Sequence, residues 1–190
     1  MGKLVVTEFV TLDGVFEDPG GSEGFERGGW AFRFERGPEG DKFKLDELHA
    51  SDAQLLGRRT YEGFAAAWLS RTDEAGFAER MNSMPKYVVS TTLADADATW
   101  SNTTVIRSNV AEEVAGLKQQ YTRDILVAGS GELVQALTQH GLVDEYRLMV
   151  FPVVLGAGKR LFADGFDTQA LRLVDAKPTG EVVILTFQPA

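Results

Sequence analysis

Short apolar runs alternate with helix-like segments along most of this sequence, and that alternation leaves few architectures open. Runs rich in Val, Leu and Ile are typical of buried strands, whereas the segments between them repeat apolar residues at helical spacing. Strands that alternate with helices predict an α/β fold whose ligands bind beyond the carboxyl ends of the strands. We expect strands at 4–10, 53–57, 86–90, 105–106, 125–128 and 145–154, and helices at 41–51, 58–68, 73–82, from Asn109, and after Gly131.

Two regions depart from this alternation. Residues 171–174 and 182–187 follow the last long strand without a helix between them, which predicts an antiparallel pair at the edge of a mostly parallel sheet. The stretch from Thr11 to Gly40 is rich in glycine and aromatic residues, and a loop of that length is uncommon and often functional. Asn109 and Glu112 have the spacing of a capping box at a helix start.

Composition excludes several classes of function. The 190 residues suit one domain, 1–190, and carry 19 Lys and Arg against 28 Asp and Glu, a net charge of −9. This acidic balance argues against binding to nucleic acids or to anionic membranes, which both need a positive surface. We expect no membrane span and no signal peptide. The absence of cysteine excludes disulfides and thiolate chemistry, and the cytoplasm is the expected location.

The turn that follows the second strand is a candidate anion site. Its residues, Gly57-Arg58-Arg59-Thr60, end a strand and open a helix, where unpaired N–H groups favour anions. Arginine is unusual in the first turn of a helix, which prefers acidic residues. The two arginines are explained if an anion binds between them, and the alternative is a pair of solvated side chains.

A second turn of similar form is Gly129-Ser130-Gly131, which follows the strand at 125–128 and precedes a helix. Glycines at such a turn let backbone N–H groups approach a phosphate closely. The third glycine of the Rossmann fingerprint is missing, so a plain tight turn remains the alternative.

Two further segments carry weaker signals. Ser90-Thr91-Thr92 ends a strand with hydroxyl groups that can hold a phosphate or form a turn. Gly156-Ala157-Gly158-Lys159-Arg160 is a glycine-rich basic segment, but Arg160 stands where a P-loop requires Ser or Thr. It is either a surface turn or a flexible loop over the edge of the sheet.

No zinc or hydrolase motif is present, and we predict no metal site. His49 and His140 lie far apart and fit helix surfaces better than a ligand set. Ser130 lies in Ala-Gly-Ser-Gly-Glu, which is not the nucleophile elbow of α/β-hydrolases.

The order of these motifs resembles the dihydrofolate reductase-like family, and within it the stand-alone relatives of the C-terminal reductase domain of the bifunctional riboflavin-biosynthesis protein. The resemblance covers nearly the whole chain and is carried by 11–14 (TLDG), 57–62 (GRRTYE), 86–93 (KYVVSTTL), 129–131 (GSG) and 152–162 (PVVLGAGKRLF). It implies a three-layer sandwich with a mostly parallel sheet and antiparallel C-terminal strands. It also implies NADPH, or NADH, as the cofactor and a homodimer as the assembly.

The resemblance further implies which residues would hold the cofactor. Gly57, Arg58, Arg59 and Thr60 would bind the pyrophosphate and the phosphate on the adenosine ribose, and Ser90, Thr91 and Thr92 would line the adenosine end. Gly129, Ser130, Gly131, Glu132 and Leu133 would form the second phosphate-binding turn, with a cis peptide between Gly129 and Ser130 as in relatives. Val6 and the segment 12–14 would face the nicotinamide.

Departures from the family pattern bear on the function. The acid that anchors a pterin in dihydrofolate reductases falls on Asp41 by counting back from Gly57, although an aspartate on a helix surface is the simpler explanation. Glu132 stands where several relatives carry a basic residue, and it would repel a phosphate unless Arg58 or Lys86 intervened. The zinc-deaminase motif of the bifunctional enzyme is absent.

The sequence therefore predicts an NADPH-dependent reductase that transfers hydride to a small pterin- or pyrimidine-like heterocycle or to a carbonyl compound. The alternative is a non-catalytic module that binds a nucleotide or a pterin, and a Rossmann or P-loop enzyme is disfavoured by incomplete fingerprints. Asp13, Asp41 or a bound water would supply the proton. The candidate substrate-binding residues are Trp30, Phe32, Phe34, Gly156 and Gly158, with core packing as the alternative for each aromatic.

Overall fold

The computed structural model describes all 190 residues as eight strands, five α-helices and two short 3₁₀ turns. The strands are β1 (Leu4–Thr11), β2 (Ser51–Gly57), β3 (Lys86–Val89), β4 (Thr103–Ile106), β5 (Asp124–Ala128), β6 (Glu145–Phe151), β7 (Leu171–Thr179) and β8 (Val182–Pro189). The helices are α1 (Gly37–Ala50), α2 (Arg58–Trp68), α3 (Phe77–Ser83), α4 (Val110–Gln120) and α5 (Gly131–Gln139). The 3₁₀ turns are Trp30–Arg33 and Asp95–Asp97.

All eight strands belong to one sheet, in the order β4-β3-β2-β5-β1-β6-β8-β7. The first six strands of the chain run parallel to one another, and β8 and β7 add an antiparallel pair beside β6. This arrangement confirms the predicted α/β fold with a mostly parallel sheet and antiparallel C-terminal strands.

Helices cover both faces of the sheet and create the predicted three layers. On one face α1, α2 and α3 pack over a buried cluster that includes Leu48, Tyr61 and Met81. On the other face α4 and α5 pack over a cluster that includes Leu117 and Leu137. None of these helices combines the length and the apolar character that crossing a lipid bilayer requires.

Several boundaries differ from those expected, each for a local reason. β6 ends at Phe151 rather than at residue 154, because Pro152 has no N–H to donate to a neighbouring strand. α3 begins at Phe77 rather than at residue 73, since the carboxylate of Asp73 accepts hydrogen bonds from the first amides of the helix. The capping box predicted at Asn109 is wrong: its backbone is left-handed, with φ 51°, and its side chain caps nothing.

Lys86 is a fully buried lysine at the amino end of β3. Its Nζ donates hydrogen bonds to the carbonyl oxygens of Asn82 at 3.0 Å, Met84 at 2.8 Å and Ser101 at 3.1 Å. It also lies 4.4 Å from the centre of the Trp100 ring. The ammonium group therefore joins the start of β3 to the segments before β3 and β4, at the edge of the sheet opposite to the predicted binding turns.

We predict that Lys86→Met lowers the free energy of unfolding by about 2–4 kcal/mol, because three carbonyl groups lose their shared donor. Urea denaturation measures this loss. Lys42→Met, which removes an exposed lysine from α1, is the matched control and should change stability by less than about 0.5 kcal/mol. Equal losses of unfolding free energy in the two variants would contradict the stabilising role of the buried Lys86 ammonium group.

Candidate active site

The carboxyl edge of the sheet contains a switch point, where the chain leaves two neighbouring strands toward opposite faces, and we call the space beside it the crevice. β1 continues toward α1 on one face, whereas β5 continues into α5 on the other. Open α/β sheets bind ligands at such switch points. The turns at Gly57, Ser90 and Gly129 all follow strands at this edge, so the structure brings three of the predicted binding segments together.

The turns that follow β2 and β5 are joined by the side chain of Ser130. Its hydroxyl accepts a hydrogen bond from the Gly57 amide at 2.8 Å and donates one to the Thr60 hydroxyl at 2.9 Å. The contact is close enough to require glycine at Gly129, where a Cβ would stand 2.7 Å from Thr60 Oγ1. The two predicted phosphate-binding turns thus form one rigid unit.

The backbone of this unit differs from the one that the family resemblance implies. No cis peptide is present; Gly129 and Ser130 instead take left-handed conformations, with φ 58° and 65°. Two consecutive left-handed residues turn the chain sharply with trans peptides, and they direct the Ser130 hydroxyl away from α5. No side chain caps the start of α5 or of α2. The first amide groups of both helices therefore have no side-chain partner, and the Phe16 ring packs against Gly131 at the start of α5.

The two arginines of the first turn have different surroundings. Arg58 Nε lies 2.7 Å from Glu62 Oε1, and its Nη1 donates to the Thr92 hydroxyl at 2.9 Å. Arg59 is exposed and forms neither an ion pair nor a side-chain hydrogen bond. Arg58 is consequently oriented by the protein, whereas the charge of Arg59 is free to meet an anion.

The residues of the Ser90–Thr92 segment have two roles: one forms the turn, and two lie at the surface of the candidate site. Ser90 is buried, and its hydroxyl accepts hydrogen bonds from the amides of Thr92 and Leu93 at 3.2 and 3.0 Å. Thr91 is exposed, and Thr92 holds Arg58. Ser90 thus shapes the turn from which the two threonines reach the surface.

The positions of three further residues bear on the cofactor assignment. Leu133 packs in the core beneath α5, so only its backbone can contribute to a turn. Glu132 is exposed in the first turn of α5. Lys86, at the opposite edge of the sheet, cannot shield a phosphate from Glu132, because it is buried at the start of β3.

Asp13 is held as a structural clamp rather than as a proton donor. Its carboxylate accepts hydrogen bonds from the Thr11 hydroxyl at 2.6 Å, the Gly156 amide at 2.8 Å and the Leu155 amide at 3.2 Å. These bonds, the one from Thr11 most of all, lower the pKa of Asp13 to about 2. An acid that is ionised at neutral pH has no proton to donate.

Gly156 and Gly158 belong to the same clamp. The backbone of both is left-handed or close to it, with φ 73° and 113°, and Gly156 donates its amide to Asp13. A Cβ at Gly158 would stand 2.7 Å from Val15 Cγ1. The two glycines therefore hold the segment after β6 against the segment after β1, and the structure gives neither a direct place in a substrate cavity.

A cavity of about 500 Å³ opens between α1 and the 3₁₀ turn at Trp30–Arg33. Its apolar lining comes from Phe9, Ala31, Phe32, Phe34, Pro38 and Phe151, and its polar lining from Glu35, Arg36 and Asp41. Asp41 Oδ1 lies 2.7 Å from Arg36 Nη2, and the Asp41 side chain is 63% exposed. This volume is within the range of small-molecule sites.

The aromatic residues of the glycine-rich stretch have separate roles. Trp30 is fully buried, packs edge-on against Phe151 and donates from Nε1 to the Glu17 carbonyl at 2.9 Å, so its predicted place in the substrate wall is wrong. Phe32 is 82% exposed and lines the cavity. Phe34 lines it as well and contacts Phe151. The composition of the glycine-rich stretch does not show which of these aromatic side chains are buried and which are exposed.

Val6 does not reach the crevice, but Glu8, two residues further along β1, lies at its border. Val6 is fully buried in the core beneath α4 and α5 and is paired to strands on both sides. Glu8 is also buried, and its Oε1 has no hydrogen-bond partner. The sequence carried a signal of this residue, since Glu8 is the only charge in an otherwise uncharged strand.

Burial raises the pKa of Glu8 to about 8, against an ordinary value of 4.5. The ammonium of Lys44 and the amide of Gly129 oppose this rise, while the carboxylates of Glu23 and Glu47 add to it. Glu8 is therefore a neutral carboxylic acid at pH 7.

The sequence matches a known protein family over nearly its whole length. The family model of the RibD C-terminal domain matches residues 2–185. The uncharacterized protein YyaP of Bacillus subtilis (strain 168) is 30% identical over 185 residues, which cover 96% of this chain and 92% of YyaP.

Two solved structures share the fold at low sequence identity. A putative riboflavin biosynthesis protein from Shewanella sp. PV-4 superimposes with a TM-score of 0.76 and 17% identity, covering 100% of this chain and 99% of that one. Dihydrofolate reductase from Enterococcus faecalis, complexed with NADP(H) and RAB-propyl, gives a TM-score of 0.57 and 16% identity, with coverages of 99% and 96%.

We predict that Glu8→Gln changes the pH dependence of stability. Between pH 4.5 and 8 the folded protein keeps a proton on Glu8 that the unfolded chain has released, so the free energy of unfolding falls as pH rises. The wild type should lose about 3 kcal/mol from this residue between pH 5 and 7.5. Glu8→Gln should lack that part of the slope.

Urea denaturation at a series of pH values measures the difference. Glu113→Gln, at an exposed position in the first turn of α4, is the matched control and should keep the wild-type slope. Parallel curves for Glu8→Gln and the wild type would show that Glu8 is ionised in the folded protein.

Proposed function

This chain belongs to the RibD C-terminal domain family, and we propose that it is a nicotinamide-nucleotide-dependent reductase of a small heterocyclic or carbonyl compound. One observation carries the proposal: the turns after β2 and β5 are locked together by Ser130 and present two uncapped helix starts at one edge of the sheet. Unpaired amides at helix starts, with the free charge of Arg59 beside them, suit the phosphates of a dinucleotide.

The residues present fit such a group. Gly57 and Gly129 are needed for the two turns to pack together, since a Cβ at either would crowd Ser130 or Thr60. What the turns offer to a phosphate is the pair of uncapped helix starts. Gly57 to Thr60 and Gly129 to Gly131 would bind the pyrophosphate, and Thr91 and Thr92 would border the adenosine end. When bound, the dinucleotide supplies the hydride, while the chain orients it and excludes water.

The charges at the site favour NADPH over NADH. Arg58 is oriented toward the adenosine end by Thr92, and Arg59 has no partner within the protein. Glu132 opposes a phosphate, but it is exposed, so solvent and salt screen its repulsion. The two arginines therefore outweigh the one carboxylate in the recognition of an additional phosphate.

The cavity between α1 and the 3₁₀ turn is the proposed substrate site. Phe9, Phe34 and Phe151 give it an aromatic floor, and the ion pair of Arg36 and Asp41 lies at its border. Aromatic walls with a few fixed polar groups suit a planar heterocycle that has a hydrogen-bonding edge. Phe9 follows Glu8 in β1 and faces the other side of the sheet, so the proposed substrate site and the proposed cofactor site border neighbouring residues of one strand.

We predict that the double variant Arg58→Ala/Arg59→Ala binds NADPH about tenfold or more weakly, because charge-assisted hydrogen bonds to phosphate are lost. Titration followed by tryptophan quenching, with NADPH and NADH in parallel, measures both affinities. The double variant Arg71→Ala/Arg172→Ala removes the same charge elsewhere and is the control. Unchanged NADPH affinity in the first variant would contradict the phosphate assignment, and absence of binding by the folded wild type would contradict the proposed function.

We further propose a homodimer that uses β7, the outer strand of the sheet. β7 has no neighbour on its outer side, and Leu173 and Val174 are 53% and 45% exposed. An edge strand that exposes apolar side chains can pair with another chain, and the exposed Leu173 and Val174 are the part of β7 that would do so.

Light scattering should give twice the chain mass for the wild type and the chain mass for Leu173→Glu/Val174→Glu. Leu69→Glu, at an equally exposed leucine after α2, should remain dimeric. A monomeric wild type would exclude the assembly.

A further inference from the structure

We propose that the carboxyl group of Glu8 donates a hydrogen bond to the carboxamide of the bound nicotinamide nucleotide, so that cofactor binding requires Glu8 to be protonated. This inference rests on the proposed function, because it concerns the same crevice. It assigns to the site a residue that the predicted binding segments do not include.

The strand pairing places Glu8 at the point where the crevice opens. The last pair between β1 and β5 joins Thr7 to Ala128. Glu8 is the next residue and keeps a partner only on its other side, Leu148 in β6. By the alternation of a strand, its side chain lies on the α5 side of the sheet, as do those of Val6 and Val10. The carboxyl therefore lies beside the Gly129 turn.

One oxygen of the Glu8 carboxyl has no hydrogen-bond partner inside the protein, although the Gly129 amide interacts with the carboxyl group. Glu8 is 6% exposed, and its Oε1 is buried without a hydrogen bond. Buried polar groups almost always have a partner. Four buried side-chain atoms lack one, and Glu8 Oε1 is the one beside the Gly129 turn, which points to a group that arrives with a ligand. The nearby Gly129 amide belongs to the turn proposed to hold the pyrophosphate.

The charges that face Glu8 keep its carboxyl neutral. Lys44 and Glu47 act on it through space from α1, across the sheet, and Glu23 acts on it from the loop after β1. Lys44 already binds Glu47 and donates to the Thr7 hydroxyl at 2.8 Å, so it is not a free counter-ion for Glu8. Glu23 and Glu47 are both acidic and favour the protonated form.

A neutral carboxyl complements a primary carboxamide. The protonated acid offers one O–H donor and one carbonyl acceptor, whereas the carboxamide offers a carbonyl acceptor and N–H donors. An ionised carboxylate has acceptors only and cannot satisfy the carboxamide oxygen. Glutamine preserves a donor and an acceptor at this position but does not titrate, so Glu8→Gln separates hydrogen bonding from protonation.

The test is a titration with NADPH between pH 6 and 9.5 at constant ionic strength, on the wild type, Glu8→Gln and the control Glu113→Gln. For the wild type and the control we expect a constant Kd at low pH and a rise above pH 8 that approaches about tenfold per pH unit. Glu8→Gln should bind within a few-fold of the wild type at pH 6.5 and show no such rise. The adenosine fragment 2′,5′-ADP lacks the carboxamide, so its Kd should vary with pH in the same way in all three proteins.

The other possible results distinguish failure of this inference from failure of the proposed function. NADPH binding that is independent of pH in the wild type, or that weakens equally in Glu8→Gln, overturns this inference and leaves the proposed function standing. A Glu8-dependent rise for 2′,5′-ADP as well overturns the assignment to the carboxamide. Failure of all three folded proteins to bind NADPH at any pH overturns the proposed function, and the inference with it. Circular dichroism at each pH establishes that the variants are folded.

Discussion

The hydroxyl of Ser130 is the contact on which the candidate site depends. A serine just before a helix ordinarily uses its side chain to cap that helix. Here the left-handed backbone of Gly129 and Ser130 sends the hydroxyl across to Gly57 and Thr60 instead. One side chain therefore sets the distance between two strand-to-helix turns and leaves the first amides of both helices without a side-chain cap. As a result, α5 lacks the stabilisation that a side-chain cap would give, and the two turns at the carboxyl edge of the sheet are held at a fixed distance.

The buried carboxyl groups on the two sides of β1 have different surroundings. On the α1 side, Glu47 is 5% exposed but is bound by Lys44 and by the Thr7 hydroxyl at 2.9 Å. The second oxygen of Glu47, Oε2, makes no hydrogen bond but lies 3.8 Å from Arg147 Nη1. On the α5 side, Glu8 is equally buried, forms no ion pair and has an oxygen without a hydrogen bond. A buried charge is tolerated when it is paired, whereas an unpaired acid takes up a proton. Adjacent strand residues thus border a structural ion pair on one face and a titrating group on the other.

The architecture was predictable from the sequence because it follows from local patterns. The helix at Arg58–Trp68 agrees residue for residue, since a strand-ending glycine and a run of helix-forming residues mark its limits. The candidate turns were also found, as glycines and hydroxyl residues at strand ends are visible in a sequence. The side of a strand or loop on which a residue is buried was not visible, so Trp30 was placed in the substrate wall and Val6 at the cofactor. Glu8 was overlooked because its significance depends on where β5 stops pairing with β1.

The cavity wall and the cofactor edge come from different segments of the chain, so the two can evolve separately. Most of that wall comes from the short stretch 31–38, whereas the turns at the cofactor edge come from segments that follow β2, β3 and β5. The exposed Phe32 contributes to the wall without belonging to the buried core. Replacements in this stretch could therefore alter which compounds are accepted while the dinucleotide edge keeps its shape. A scaffold divided in this way allows new substrate preferences to arise by a few substitutions, without the loss of folding that usually accompanies remodelling of a binding site.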